Sequence, residues 1–170
     1  MAESKYAKYL TTDILRPVKG GAKNLTSTRH LEPYAGGDFS LDCGFITEPI
    51  LMIPAPHQHD FDQYICFFSA SHEKMEDFDA VIEISLGEEG EKQVITRPTI
   101  VRIPAGVLHC PLNFKRVDKP VFFQAACMQG MFGGVYNGKE LYYNGPGNCT
   151  HDETKKCDAC RSCLDGDWDT

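Results

Sequence analysis

The sequence predicts an all-β fold, a small sandwich or barrel, on three observations. Between residues 25 and 128, about eight to ten strand-like runs follow one another, separated by turn signals at short intervals. Several of these runs alternate apolar and polar residues with a period of two, the pattern of a half-buried strand. The length, 170 residues with 42% apolar content, suits one domain with a sizeable core.

The elements follow in chain order. Residues 1–24 read as a short N-terminal arm holding a helix over Ala2–Leu10, ended by Pro17 and Gly20–Gly21. From Leu25 the pattern turns to strands. LTSTRHLEPY alternates loosely, and its His30 has no partner at ligand spacing. FSLDCGFI (Phe39–Ile46) has period-two character, and PILMIPAP (Pro49–Pro56) is a short apolar strand between prolines. In DQYICFFSA (Asp62–Ala70), Gln63, Ile65 and Phe67 should face one way and Tyr64, Cys66 and Phe68 the other. SHEKMEDFD (Ser71–Asp79) is a polar, acidic loop containing His72. AVIEISLG (Ala80–Gly87) and QVITRP (Gln93–Pro98) form a hairpin about GEEGEK. TIVRIPAG (Thr99–Gly106) leads to a tight turn, and PVFFQAACM (Pro120–Met128) closes the set. Either Phe123 or Gln124 looks inward. The β-rich unit spans residues 25–134.

Two segments carry the chemistry. PHQHDFDQ (Pro56–Gln63) places His57, His59 and Gln63 at positions of one parity, so two imidazoles and a carboxamide project together. PAGVLHCPLN (Pro104–Asn113) adds His109. Imidazole nitrogens suit Zn, Fe, Cu and Ni, and a carboxamide oxygen can fill a further position. Cys110, by alternation, should face away as a core thiol. Asp62 could act as a ligand only through a bulge, or as a general base beside the ion. Its ordinary fate is solvated or paired.

These segments resemble the cupin family. Its first motif has the form G-x5-H-x-H-x3,4-E-x6-G, and its second the form G-x5-P-x-G-x2-H-x3-N. Pro104, Gly106, His109 and Asn113 keep the second spacing, and His57 and His59 keep the first. Gln63 stands where the family has Glu, Pro98 where it has Gly, and the closing Gly near Ser69–Ala70 is absent. The resemblance implies a single-domain jelly-roll barrel with an ion held by His57, His59, Gln63 and His109. Pro104 and Gly106 would shape the turn, and Asn113 would hold a turn by hydrogen bonds. It also implies a homodimer and a divalent metal, one of Fe, Mn, Zn or Ni.

Residues 135–170 form a polar, Cys-rich tail. Cys157, Cys160 and Cys163 make C-x2-C-x2-C, with Cys149 eight residues upstream and His151 beside it. A structural zinc on Cys149, Cys157, Cys160 and Cys163 would supply folding energy that such a segment lacks. An iron–sulfur centre is the second reading; its usual fourth Cys after x3 is missing. A redox-active or disulfide-prone tail is the third, and reduced cysteines on a loose tail the simplest.

The formal net charge of −7 and the lack of a Lys/Arg run argue against a nucleic-acid partner. No apolar run is long enough to cross a membrane as a helix. The first residues lack an apolar core of the secretory kind, so a cytoplasmic setting with reduced thiols is expected. The functional expectation is a metal-dependent cupin enzyme on a small organic substrate, of oxygenase, isomerase, lyase or decarboxylase type. The alternative is a non-catalytic sensor or partner-binding module that holds a metal and a small ligand.

Overall fold

In the computed structural model two antiparallel sheets face each other across an apolar core. The structure describes residues 5–10, 12, 16–17, 24–27, 39–128, 132–136 and 139–143. The strands are β1 (Arg16–Pro17), β2 (Asn24–Ser27), β3 (Ser40–Ile46), β4 (Ile50–Ile53), β5 (His57–Gln58), β6 (Gln63–Ser69) and β7 (Ala80–Leu86). They continue as β8 (Glu91–Ile95), β9 (Thr99–Ile103), β10 (His109–Val117), β11 (Val121–Cys127), β12 (Phe132–Tyr136) and β13 (Lys139–Tyr143).

The first sheet runs β1-β2-β3-β11-β6-β9 and the second β13-β12-β5-β10-β7-β8, with β4 also on β10. Nine of these strands pair as nested arms: β3 with β11, β4 and β5 with β10, β6 with β9, β7 with β8. That nesting is one long hairpin folded over on itself into two sheets, which is a jelly roll. The fold is thus the all-β jelly roll that the motif resemblance implies.

Alternation decides what fills the core. β6 and β11 bury every second residue without exception. Phe67, Phe114 and Phe123 meet at ring distances of 5.9–6.1 Å in the closed part of the barrel. Ile65, Ile82, Ile84, Ile103 and Leu112 fill the space around them. Phe123, not Gln124, is the inward residue of β11.

Two expectations need correction. In place of a helix over Ala2–Leu10, the described part of the arm makes a three-residue 3-10 turn, Ala7–Tyr9. Tyr6, Tyr9 and Leu10 are 59–75% exposed. They form no buried stripe, and so short a segment has nothing to repay helix nucleation. The second sheet also continues past residue 134: β12 crosses the expected boundary, pairs with β5 and carries β13 on its other side.

Candidate metal centre

His57 begins β5 and lies directly opposite His109 at the start of β10. His59 follows in the link to β6. Its ring stacks on Phe61 at 4.8 Å, and its carbonyl accepts the Gly106 N–H at 2.7 Å. Gly106 has φ +79°, a left-handed conformation that glycine adopts freely. The turn Pro104–Gly106 is thereby fastened to the first motif and delivers His109 beside it.

The three rings converge. Their centroids are 4.2 Å (His57–His109), 4.9 Å (His57–His59) and 5.1 Å (His59–His109) apart. Imidazoles ligating one ion at about 2.0–2.1 Å place their centroids roughly 4.5–5 Å apart, near this spacing, but among the described residues the donor atoms grouped within 4.8 Å of one another are those of His57, His109 and Cys110, without His59. All three side chains are buried. His109 Nδ1 donates to the Val107 carbonyl at 3.0 Å, which fixes the tautomer and leaves Nε2 as a lone-pair donor. That Nε2 is buried with no hydrogen-bond partner. His57 Nδ1 has a similar carbonyl, Ala55 O, at 3.4 Å. Burial pushes the His109 pKa down, against a smaller upward pull from Val107 O, so the ring favours its neutral, ligating form.

Gln63 projects from the opposite sheet. Its Nε2 donates to Cys127 Sγ at 3.5 Å, while its Oε1 is buried with no hydrogen-bond partner. Cys127 is its direct neighbour across the β6–β11 ladder. The amide is held by its nitrogen and presents its oxygen, the end that can ligate. Orphaned buried acceptors are costly unless something occupies the space beside them. The residues present fit a divalent ion.

Cys110 does not face away. It is 2% exposed, and its sulfur and one ring nitrogen each of His57 and His109 all lie within 4.8 Å of one another. The alternation fails because β10 is irregular at its start. Cys110 has φ +77°, the Cys110–Pro111 peptide is cis, and the register against β7 shifts between His109 and Leu112. Two successive residues therefore point inward. Burial pushes the thiol pKa up to about 12.

The remaining candidates lie elsewhere, Asp62, Tyr64 and His72 as their ordinary readings had it. Asp62 faces outward, accepting from Arg102 Nε at 3.0 Å and Nη2 at 2.8 Å and from the Ala105 N–H at 3.1 Å. Strict alternation from Gln63 onward leaves no bulge to turn it inward. Tyr64 is on the outer face, and His72 is exposed in its loop. Asn113 sits within β10 opposite Glu83 and Leu51 and not in a turn, because β10 runs on to Val117. Cys149, Cys157, Cys160 and Cys163, like His30, fall outside the described residues.

Sequence reasoning missed two polar residues of the inner wall. Ser40 and Asp42 are 1% and 6% exposed, on the β3 parity that buries Ile46. Ser40 pairs with Cys127, the residue that holds Gln63, and Asp42 with Ala125. The signal was available: in FSLDCGFI, Ser40, Asp42 and Ile46 share one parity, so an inward Ile46 carries a serine and a carboxylate inward with it.

No family model matches the chain, and no curated protein matches it. The chain is similar to several solved structures. Hazelnut vicilin is 15% identical with a TM-score of 0.48, covering 76% of this chain and 36% of its own. Bacillus subtilis oxalate decarboxylase, whose structure is described with Mn(II) centres, is 13% identical with a TM-score of 0.45, covering 69% and 28%. A cupin protein from Bacteroides fragilis is 14% identical with a TM-score of 0.35, covering 54% and 66%. The chain thus spans about a third of the length of the first two.

Proposed function

We propose that this chain is a metal-dependent jelly-roll protein whose barrel ion acts on a small organic substrate. The observation that carries the reading is the convergence of His57, His59 and His109 beside a Gln63 oxygen and a His109 nitrogen that no hydrogen bond satisfies. His57, His59, His109 and Gln63 would hold the ion, which is one of Fe, Mn, Zn or Ni. Bound by neutral ligands, a divalent ion keeps most of its charge and acts as a Lewis acid on a carbonyl, enolate or carboxylate.

The chain's own residues supply the rest. Val107 O and Cys127 Sγ orient His109 and Gln63 before anything binds. Met52, Ile65 and Phe67 are buried in the apolar core, and Ile65 and Phe67 continue the inward row that Gln63 begins. Asp42, a buried carboxylate on the inward parity of β3, is the candidate to hold or move a proton for a bound substrate. Asp62, tied to Arg102 outside, does not serve in that role.

The test is metal analysis of full-length protein purified without added metal, with Cys149, Cys157, Cys160 and Cys163 replaced by serine. One ion per chain should remain, and His109→Ala should weaken its binding by at least about a hundredfold. A His109→Ala protein that folds and keeps its ion would remove the barrel centre. An ion that binds without any turnover of carbonyl or carboxylate compounds would favour the sensor reading.

A further inference from the structure

We propose that Cys110 is itself a ligand, so that the barrel ion is held by sulfur as well as nitrogen. This rests on the metal reading above and says which chemistry the ion must have.

The ordinary role of a buried cysteine is that of a small hydrophobe. Cys110 does touch the apolar core. A core thiol, however, needs no special backbone. Ile65 and Phe67 on β6, or Phe123 and Cys127 on β11, reach the interior through plain alternation. Cys110 reaches it by a different route. Its φ of +77° is a conformation that side-chain-bearing residues avoid, and the ladder to β7 shifts just there. The same backbone at Gly106 is occupied by glycine, the residue suited to it. At position 110 a side chain is retained in that conformation and turned to the side of its neighbour His109.

The result is a compact donor set. The sulfur of Cys110 and one ring nitrogen each of His57 and His109 lie within 4.8 Å of one another, and all three residues are buried. Nitrogen and sulfur ligands on one tetrahedral zinc lie about 3.5 Å apart, so a donor pair at the 4.8 Å limit has to close by about an ångström. His59 or Gln63 then supplies a fourth position. On binding, the Cys110 S–H proton passes to solvent and a metal–sulfur bond forms; no oxidant or reductant is involved. A thiolate favours borderline or soft ions, such as Zn(II), Co(II) or Fe(II), over Mn(II) or Mg(II).

Cobalt(II) reports the sulfur directly, because a thiolate bound to it gives an intense near-ultraviolet charge-transfer absorption that nitrogen and oxygen donors do not. The full-length protein with its four tail cysteines changed to serine is loaded with Co(II). The band should be present, and Cys66→Ser, on the outer face, should keep it. Cys110→Ser should abolish it and weaken Zn(II) binding by at least about tenfold, with the ion still held by the imidazoles. Should Cys110→Ser fail to fold, X-ray absorption of the zinc-loaded parent decides the matter. A sulfur shell at about 2.3 Å is expected, and a shell of nitrogen and oxygen alone overturns the proposal. Cobalt bound without the band, or a band unchanged in Cys110→Ser, overturns sulfur ligation and leaves the metal centre standing. A parent that binds no cobalt or zinc removes both.

Discussion

β6 and the start of β10 both carry ligand candidates, yet they obey different rules. Along β6 burial alternates strictly from Gln63 to Ser69; each residue sits opposite one partner on β11, and Gln63 to Phe67 also opposite one on β9. At the start of β10 two neighbours, His109 and Cys110, are both buried, and the register against β7 breaks before Leu112. A regular ladder converts sequence parity into direction. An interrupted ladder does not, and it can set two donors side by side on one face.

The sharpest test of the regular half is the contrast between Phe67 and Phe68. Phe67 is fully buried against Phe114 and Phe123, whereas Phe68 lies half-buried on the outer face. Phe67→Ala should cost about 3–5 kcal/mol and Phe68→Ala no more than about 1 kcal/mol. Denaturant titration at unchanged slope measures both. Similar losses for the two would mean that alternation does not govern this wall.

The irregular half is probed at Gly106. A methyl group there meets nothing within 4 Å, so its cost is purely that of holding φ +79° with a side chain. Gly106→Ala should destabilise by about 1–2 kcal/mol. Because Gly106 N–H is bonded to His59 O, ion affinity should fall along with stability. A loss of stability with unchanged affinity would separate the turn from the site.

The same contrast explains what could be read in advance. His57, His59 and Gln63 lie on or beside regular strands, so spacing alone placed them together. His109 was reachable through its motif. Cys110 was misread because its direction depends on a backbone irregularity that residue types do not announce. Asp42 and Ser40 were overlooked for the opposite reason. Their strand is regular, and parity with Ile46 points them inward, but attention to motif residues passed over a carboxylate with no motif around it. The extension of the second sheet also had a signal, Asn137-Gly138 between two strand-like runs, a favoured two-residue hairpin loop.

The smallest expected effect concerns the link that joins the two halves. Asp62 leads into β6 and fastens it to the turn before β10 through Arg102 and the Ala105 N–H. The Arg102 hydrogen bonds are the main cause holding its carboxyl below the ordinary carboxylate value, with the Ala105 bond second. The folded state therefore binds this proton less readily than the unfolded chain. The stabilisation is complete above the ordinary value and is lost as pH falls through the lower folded value. Arg102 is exposed and Asp62 about a third exposed, so the effect is small and weakened by salt. Asp62→Asn keeps an oxygen for Ala105 but gives up the charge facing Arg102. Its melting temperature should lie slightly below that of the parent at neutral pH, and the two should converge in acid. A gap that stays constant down to the most acidic conditions would mean that the ion pair does not link the regular strand to the irregular one.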